Sequence, residues 1–155
     1  MRTTIAAPLE RCFDLSRSID FHVRSASSTK EQAIGGVTSG LIELEQQVQW
    51  RARHFGFWFS MTVAITEMRR PFHFQDAMTK GPFRYFRHTH TFIEQDGRTE
   101  MVDCVEFASP VPVFGSIVDF LFLRHHLKLF LQERNLLLKA ALESHQWRNY
   151  LSSQK

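Results

Sequence analysis

Cysteine is nearly absent from this chain. Cys12 and Cys104 are the two present, far apart and without a CxxC motif. That excludes a disulfide scaffold and predicts two reduced, buried thiols in a cytoplasmic protein. Charge of one sign is equally scarce: 19 Lys and Arg against 16 Asp and Glu leave a net +3. So small and dispersed an excess gives no footing for nucleic acid, and the short basic spots Met68-Arg69-Arg70 and Arg124 to Lys128 read as solvated surface. No apolar run approaches the roughly eighteen residues of a membrane span, so no stable membrane insertion is expected. The apolar part of MRTTIAAPLERCF is too short for a secretory h-region and is closed by Glu10. Internal repeats and low-complexity segments are also missing.

What is present is a core. Hydrophobic residues make up 43% of the 155, with 15 Phe among them, which describes one folded domain over residues 1–155. Residues 2–6 read as a short strand. Pro8 takes the first position of a helix, whose apolar face is Leu9, Cys12, Phe13 and Ser16. From Ser18 to Gly40 the pattern weakens, and Gly35-Gly36 and Gly40 suggest an irregular, mobile loop with a short helix or strand that could act as a lid. Alternation then takes over: Val48, Trp50 and Ala52 on one face, followed by Phe57, Phe59, Met61, Val63 and Ile65. Turn signals at Phe55-Gly56, Pro71, Gly81-Pro82 and Asp96-Gly97 cut this region into five consecutive strands, an antiparallel meander. After Ser109-Pro110-Val111-Pro112 the period becomes helical over about 113–145. Two apolar lines run along that helix, one through Val118, Phe122, Leu129, Leu136 and Ala140, the other through Phe120, Leu127, Leu131 and Leu138. A helix apolar on two sides is buried twice, against its own sheet and against a partner, so a homodimer through it is one expectation. The fold class is α+β: a curved antiparallel sheet wrapped around a long C-terminal helix.

The densest chemistry lies in RYFRHTHTFIEQDGRTEMVDCVEF, residues 84–107. Asp96-Gly97 is the preferred dipeptide of a two-residue type I′ turn, which pairs Gln95 with Arg98. Counting back, Phe92 faces Met101, His90 faces Asp103, His88 faces Val105 and Phe86 faces Phe107, all on one side of the sheet. Arg87 meets Glu106 on the other. His88, His90 and Asp103 therefore project from a mostly apolar concave face, where hydrogen bonds or a ligand must offset their burial. Asp76 shares parity with Phe74 and Met78. A strict two-residue turn at Gly81-Pro82 would pair it with Arg87 outside, whereas a bulge would turn it inward.

Three readings compete for the cluster. Two histidines and a carboxylate can form a facial metal triad, and His88-Thr89-His90 with Glu94 has the cupin spacing HxHxxxE; the glycine spacings and second motif of cupins are missing. Acid–base catalysis by His90 with Asp103, or by His88, is the second, with no nucleophile or oxyanion motif beside it. The third, which the residues favour, is a polar patch that orients an apolar ligand or satisfies itself in the core. No metal and no other cofactor is expected. His125-His126 read as surface and rim.

The opening TTIAAPLERCFDLSRSIDFH, the strands EQQVQWRARHFGFWFSMTVAITEMRRPFHFQDAMTKGPFRYFRHTHTFIEQDG, and ASPVPVFGSIVDFLFLRHHLKLFLQERNLLLKAALES together resemble the START-like superfamily. This superfamily is also called SRPBCC, or birch-pollen-allergen-like, and its architecture is the helix-grip fold. The nearest resemblance is to bacterial members grouped with polyketide cyclases and coenzyme-Q-binding proteins. The resemblance implies a cavity between sheet and helix for a hydrophobic small molecule such as a lipid, polyketide or quinone, with cyclase, aromatase or dehydratase chemistry in a minority of members. Carried over by position, the cavity would draw on Trp50, Met61, Phe74, Phe86, His88, His90, Met101, Asp103, Phe107 and Leu121. The first strand is short for that group, which could leave a sheet edge open.

Overall fold

The computed structural model describes residues 1–108 and 122–151. Strand β1 (Arg2–Ile5) leads into α1 (Leu9–Ser16) and α2 (Ile19–Ser25), a 3-10 turn at Ser27–Thr29, and β2 (Gln32–Gly36). The meander follows as β3 (Gln47–His54), β4 (Phe57–Arg69), β5 (His73–Lys80), β6 (Tyr85–Gln95) and β7 (Arg98–Ala108). Helix α3 (Arg124–Glu143) and the short α4 (Arg148–Leu151) close the described chain. The strands form one antiparallel sheet in the order β1-β7-β6-β5-β4-β3-β2. Consecutive strands are neighbours from β2 to β7, as short turns require, and β1 returns to the far edge beside β7.

The β6–β7 ladder has the register expected from Asp96-Gly97: Gln95 pairs with Arg98, Phe92 with Met101, His90 with Asp103 and Phe86 with Phe107. Both turn residues take positive φ, 51° and 71°, as a type I′ turn demands. Asp76 pairs with His88 and faces inward. The β5–β6 pairing ends at Ala77 opposite Arg87, short of a two-residue turn at Gly81-Pro82, and Asp76 falls opposite His88 instead of Arg87; that one-position shift moves it to the other face. Cys104 is a correction: it is exposed, while Cys12 is buried. Its neighbour Asp103 points inward, so period-two alternation turns Cys104 outward.

The segment after Ser18 holds the short elements expected there, helix α2 and strand β2, and is more ordered than its sequence suggests. Ile19, Phe21, Ala26 and Thr29 are buried, because Ser18 Oγ caps α2 by accepting from Phe21 N at 3.3 Å and lets the helix form directly after α1. Ser18→Ala should lower stability by about 1 kcal/mol in urea unfolding; no change would mean that the cap is dispensable. Pro8 stands one position before α1, at ψ 146°, instead of within its first turn.

Helices α1 and α2 fill one end of the concave face. There Ile5, Phe13, Leu15, Phe92, Met101, Leu138 and Leu142 are almost completely buried. Helix α3 lies across this plug and reaches β1: Lys139 Nζ donates to Thr4 O at 2.6 Å, and Asn135 Nδ2 to Thr3 Oγ1 at 3.2 Å. Its inward line is Leu127, Leu131, Arg134 and Leu138. The second apolar line, with Phe122, Leu129 and Leu136, is exposed. Val118, Phe120 and the start expected near 113 lie outside the described residues. The β1 edge does cover β7, from Arg2 opposite Val102 to Ile5 opposite Thr99.

Candidate functional site

Toward the other end of the concave face, between sheet and α3, is a cavity of about 460 Å³. The plug helices close it on one side, and the β3–β4 hairpin tip rises on the other. Most of its wall is apolar: Ile42, Val48, Met61, Val63, Ile65, Phe86, Leu127 and Phe130 all face it. Alternation along β3 and β4 puts the strand residues among them on one side of the sheet. The expected inward row fails only at its start, where Phe57 is 70% exposed because it sits at the hairpin tip beyond the reach of α3. Phe55, at φ 52°, turns back over the mouth and packs at a tilt against Phe122 and His126, with ring centroids 5.0 and 4.6 Å away.

Three adjacent strands build the polar part of the wall. Asp76 on β5, His88 and His90 on β6, and Asp103 on β7 lie side by side. Asp103 is the deepest, with a side chain fully shielded from solvent. Its Oδ1 accepts from His88 Nε2 at 3.0 Å, and its Oδ2 from Asn135 Nδ2 at 2.6 Å. His90 Nδ1 comes within 2.9 Å of the same Oδ1, but off the line of a full hydrogen bond. On the cavity side, Asp76 Oδ1 stands 3.9 Å from His88 Nδ1 and 3.7 Å from His90 Nε2. One donor atom each from Asp76, His88 and His90 fall within 4.8 Å of one another, the spacing of a group able to hold a metal ion. The His90 ring is fixed by stacking on Phe74, 4.2 Å away at 21°.

This packing separates the charges of the cluster. Burial pushes the His88 imidazole down to about 4, helped by the neighbouring His90 charge and opposed by the hydrogen bond to Asp103. Burial acts on His90 in the same sense, but its contacts with Asp103 and Asp76 outweigh it, and the imidazole is held above its ordinary value. Burial would raise both carboxyls. The histidines pull Asp103 and Asp76 below the usual carboxylate range instead. The cluster thus favours a neutral His88 and ionised aspartates, and it biases His90 toward its protonated form.

Arg134 is the most unusual member of the cavity wall. It is 5% exposed, its Nη2 donates to Ser16 O at 3.3 Å, and its Nε has no partner. Among the described residues no carboxylate forms an ion pair with it. A second polar group lies nearby: His22 lies flat on Trp50 at 4.2 Å, with its Nε2 3.4 Å from Glu31 Oε2, and His54 Nδ1 lies 3.0 Å from His126 Nε2. Burial would raise the Glu31 carboxyl, yet the His22 charge and contact draw it down. Burial, and then the His126 charge, lowers His54.

Of the residues proposed from sequence, Trp50, Met61, Phe74, Phe86, His88 and His90 line the cavity. Met101 lies behind the wall, against Ser16 Oγ at 3.6 Å. Asp103 also lies behind it, as the support of both histidines. Phe107 packs edge-on to Phe83 at 5.9 Å, and Leu121 is outside the described residues. Arg134, Glu31 and His54 were missed, and His126, read as rim, lines the cavity. Arg134 did leave a signal, as the one charge on the apolar line Leu127, Leu131, Leu138. Glu31 left none, since it follows a segment without periodicity.

Solved structures share this arrangement. A crystal structure of a protein from Thermus thermophilus matches with a TM-score of 0.71 at 16% identity, covering 91% of this chain and 96% of that one. Ara h 8.0201 matches at 0.64 and 12% identity over 92% and 94% of the two chains. Major latex-like protein 151 from Panax ginseng matches at 0.66 and 10% identity over 93% and 95%. The fold is the birch-pollen-allergen-like helix grip. At these identities the likeness is one of architecture, and the helix-grip frame accounts for the cavity's place between sheet and helix but not for the residues in it. No family model matches the sequence, and no curated protein matches it either. Among the described residues no helix is long and apolar enough to cross a membrane.

Proposed function

We propose that this helix-grip protein binds a small hydrophobic molecule, lipid-, polyketide- or quinone-like, whose oxygen-bearing end lies toward Arg134. The observation that carries the reading is the apolar cavity of about 460 Å³, large enough for a small ligand, with few polar groups converging on it. Arg134 adds direction. Among the described residues its buried guanidinium has no ion pair, and an acceptor or anionic group on the ligand would offset the cost of burying it. The fold of Ara h 8.0201 and major latex-like protein 151 is compatible with such a cavity.

Titration with an anionic aromatic dye, anilinonaphthalene sulfonate, tests this reading. Saturable binding is expected, abolished by Val63→Trp, which fills the cavity from its floor. Arg134→Gln should weaken it about 10- to 100-fold, the value of a charge-assisted hydrogen bond. Native mass spectrometry of protein taken directly from cells should show a bound small molecule. A persistently empty protein with dye binding indifferent to Val63→Trp would overturn the reading.

An enzymatic alternative rests on one feature, the Asp103 carboxylate placed behind two imidazoles that face the cavity. That arrangement orients a general base for cyclase-, aromatase- or dehydratase-like proton transfer. Turnover of an identified ligand that survives His90→Gln and Asp103→Asn together would sink it.

A further inference from the structure

We propose that Asp76, His88 and His90 bind a divalent first-row transition-metal ion at the cavity wall, with Asp103 and Asn135 as the support of the two histidines. The argument begins with tautomers. An ionised carboxylate only accepts hydrogen bonds, so His88 Nε2, 3.0 Å from Asp103 Oδ1, carries the proton of that ring, and His90 turns its Nδ1 to the same oxygen at 2.9 Å, off the line of a full hydrogen bond. In a neutral ring the other nitrogen then holds a lone pair. Those lone pairs, on His88 Nδ1 and His90 Nε2, both look toward Asp76 Oδ1, at 3.9 and 3.7 Å. Three potential ligand atoms thus converge on one point, at separations longer than a good hydrogen bond, and a cation entering there takes the place of the proton that Asp76 and Asp103 favour on His90.

Those separations suit a cation. Nitrogen and carboxylate ligands stand about 2.1 Å from such an ion, which sets neighbouring ligand atoms roughly 3.0 to 3.4 Å apart in octahedral or tetrahedral geometry. The two contacts to Asp76, at 3.9 and 3.7 Å, need to shorten by about 0.3 to 0.9 Å to reach that range, and Asp76 on β5 is the member with room to move. Its side chain is 18% exposed, against 2% for His90. Two imidazoles and one carboxylate favour iron, zinc, cobalt or nickel over magnesium or calcium. A carboxylate, Asp103, that accepts from His88 and stands 2.9 Å from His90 Nδ1 is the outer-sphere arrangement that fixes ring orientation and raises ligand basicity. Asn135 Nδ2 holds that carboxylate from α3 at 2.6 Å. With the ion bound and both imidazoles neutral as ligands, its two charges balance those of Asp76 and Asp103. Arg134, in the same wall, forms no ion pair with Asp76 and donates to Ser16 O instead. The facial triad weighed from sequence took its carboxylate from Asp103 or Glu94. The β5–β6 register supplies Asp76 in their place and moves Asp103 behind the ligands.

Chelator-treated, full-length protein titrated with Co²⁺ decides the matter. One equivalent should bind, with visible ligand-field absorption and displacement by Zn²⁺, and Zn²⁺ should raise the melting temperature. Asp103→Asn should weaken binding about 10- to 100-fold, the usual effect of losing an outer-sphere partner. Asp76→Asn and His90→Gln should weaken it further, and circular dichroism of each variant shows whether it is folded. Wild-type protein that takes up no stoichiometric Co²⁺ overturns the proposal whatever the variants do. So does a spectrum that survives His90→Gln and disappears with His126→Gln, which would place the ion at the His54–His126 pair.

Discussion

Asp103→Ala is expected to lower the stability of the metal-free protein by about 3–5 kcal/mol, the usual result of breaking a buried charged pair by removing one partner. The carboxylate is fully shielded, and it serves His88, His90 and Asn135 at once. Removing it leaves two imidazoles and an amide facing one another across a space that water cannot readily reach. The remaining carboxylate, Asp76, stands 3.7 Å or more from the rings and cannot take over. Urea unfolding followed by circular dichroism measures the loss, and the melting temperature should fall by roughly 10 °C or more. Asp103→Asn keeps one acceptor oxygen and should cost less, about 1–3 kcal/mol. A loss below about 1 kcal/mol for the alanine variant would mean that the cluster is not held together by this residue.

Phe13→Ala should cost a similar amount, about 3–5 kcal/mol, by a different route. Phe13 is completely buried on α1 and meets Phe74 and Phe92 edge-on, with ring centroids 5.5 and 5.6 Å away. Truncation removes those contacts and leaves a void between helix and sheet, where neither layer can close without breaking its own hydrogen bonds. Since Phe74 also carries the stacked ring of His90, the loss should not be additive with that of Asp103→Ala. A double-mutant cycle should show a coupling energy of about 0.5 kcal/mol or more, as residues that share a partner usually do. Strict additivity would show that the aromatic stack and the polar cluster are energetically separate.

The β6–β7 hairpin was legible because its determinants are local. Asp96-Gly97 dictates the turn, the turn dictates the register, and period two carries the result to Asp103. The same arithmetic was available for Cys104, whose outward direction follows from Asp103 pointing in. Asp76 could not be settled in this way, because Gly81-Pro82 admits more than one connection length and a single residue of slip exchanges the two faces. The short elements after Ser18 could not be placed from sequence for another reason. Helices of seven residues give too few apolar repeats to stand out, and their stability comes from what they are packed against.

Sequence by itself therefore determined the class of the fold, the meander and its long helix, and the face on which His88, His90 and Asp103 lie, since alternation and turn chemistry act over a few residues. Only the tertiary structure decided what those side chains meet. It brought Asp76 to the cavity side of the histidines, put Asp103 behind them, and set Arg134 and Asn135 against the same wall from a helix more than thirty residues downstream. Such meetings depend on how the sheet curves and where α3 crosses it. These are properties of packing between distant segments, and no local pattern in the chain encodes them.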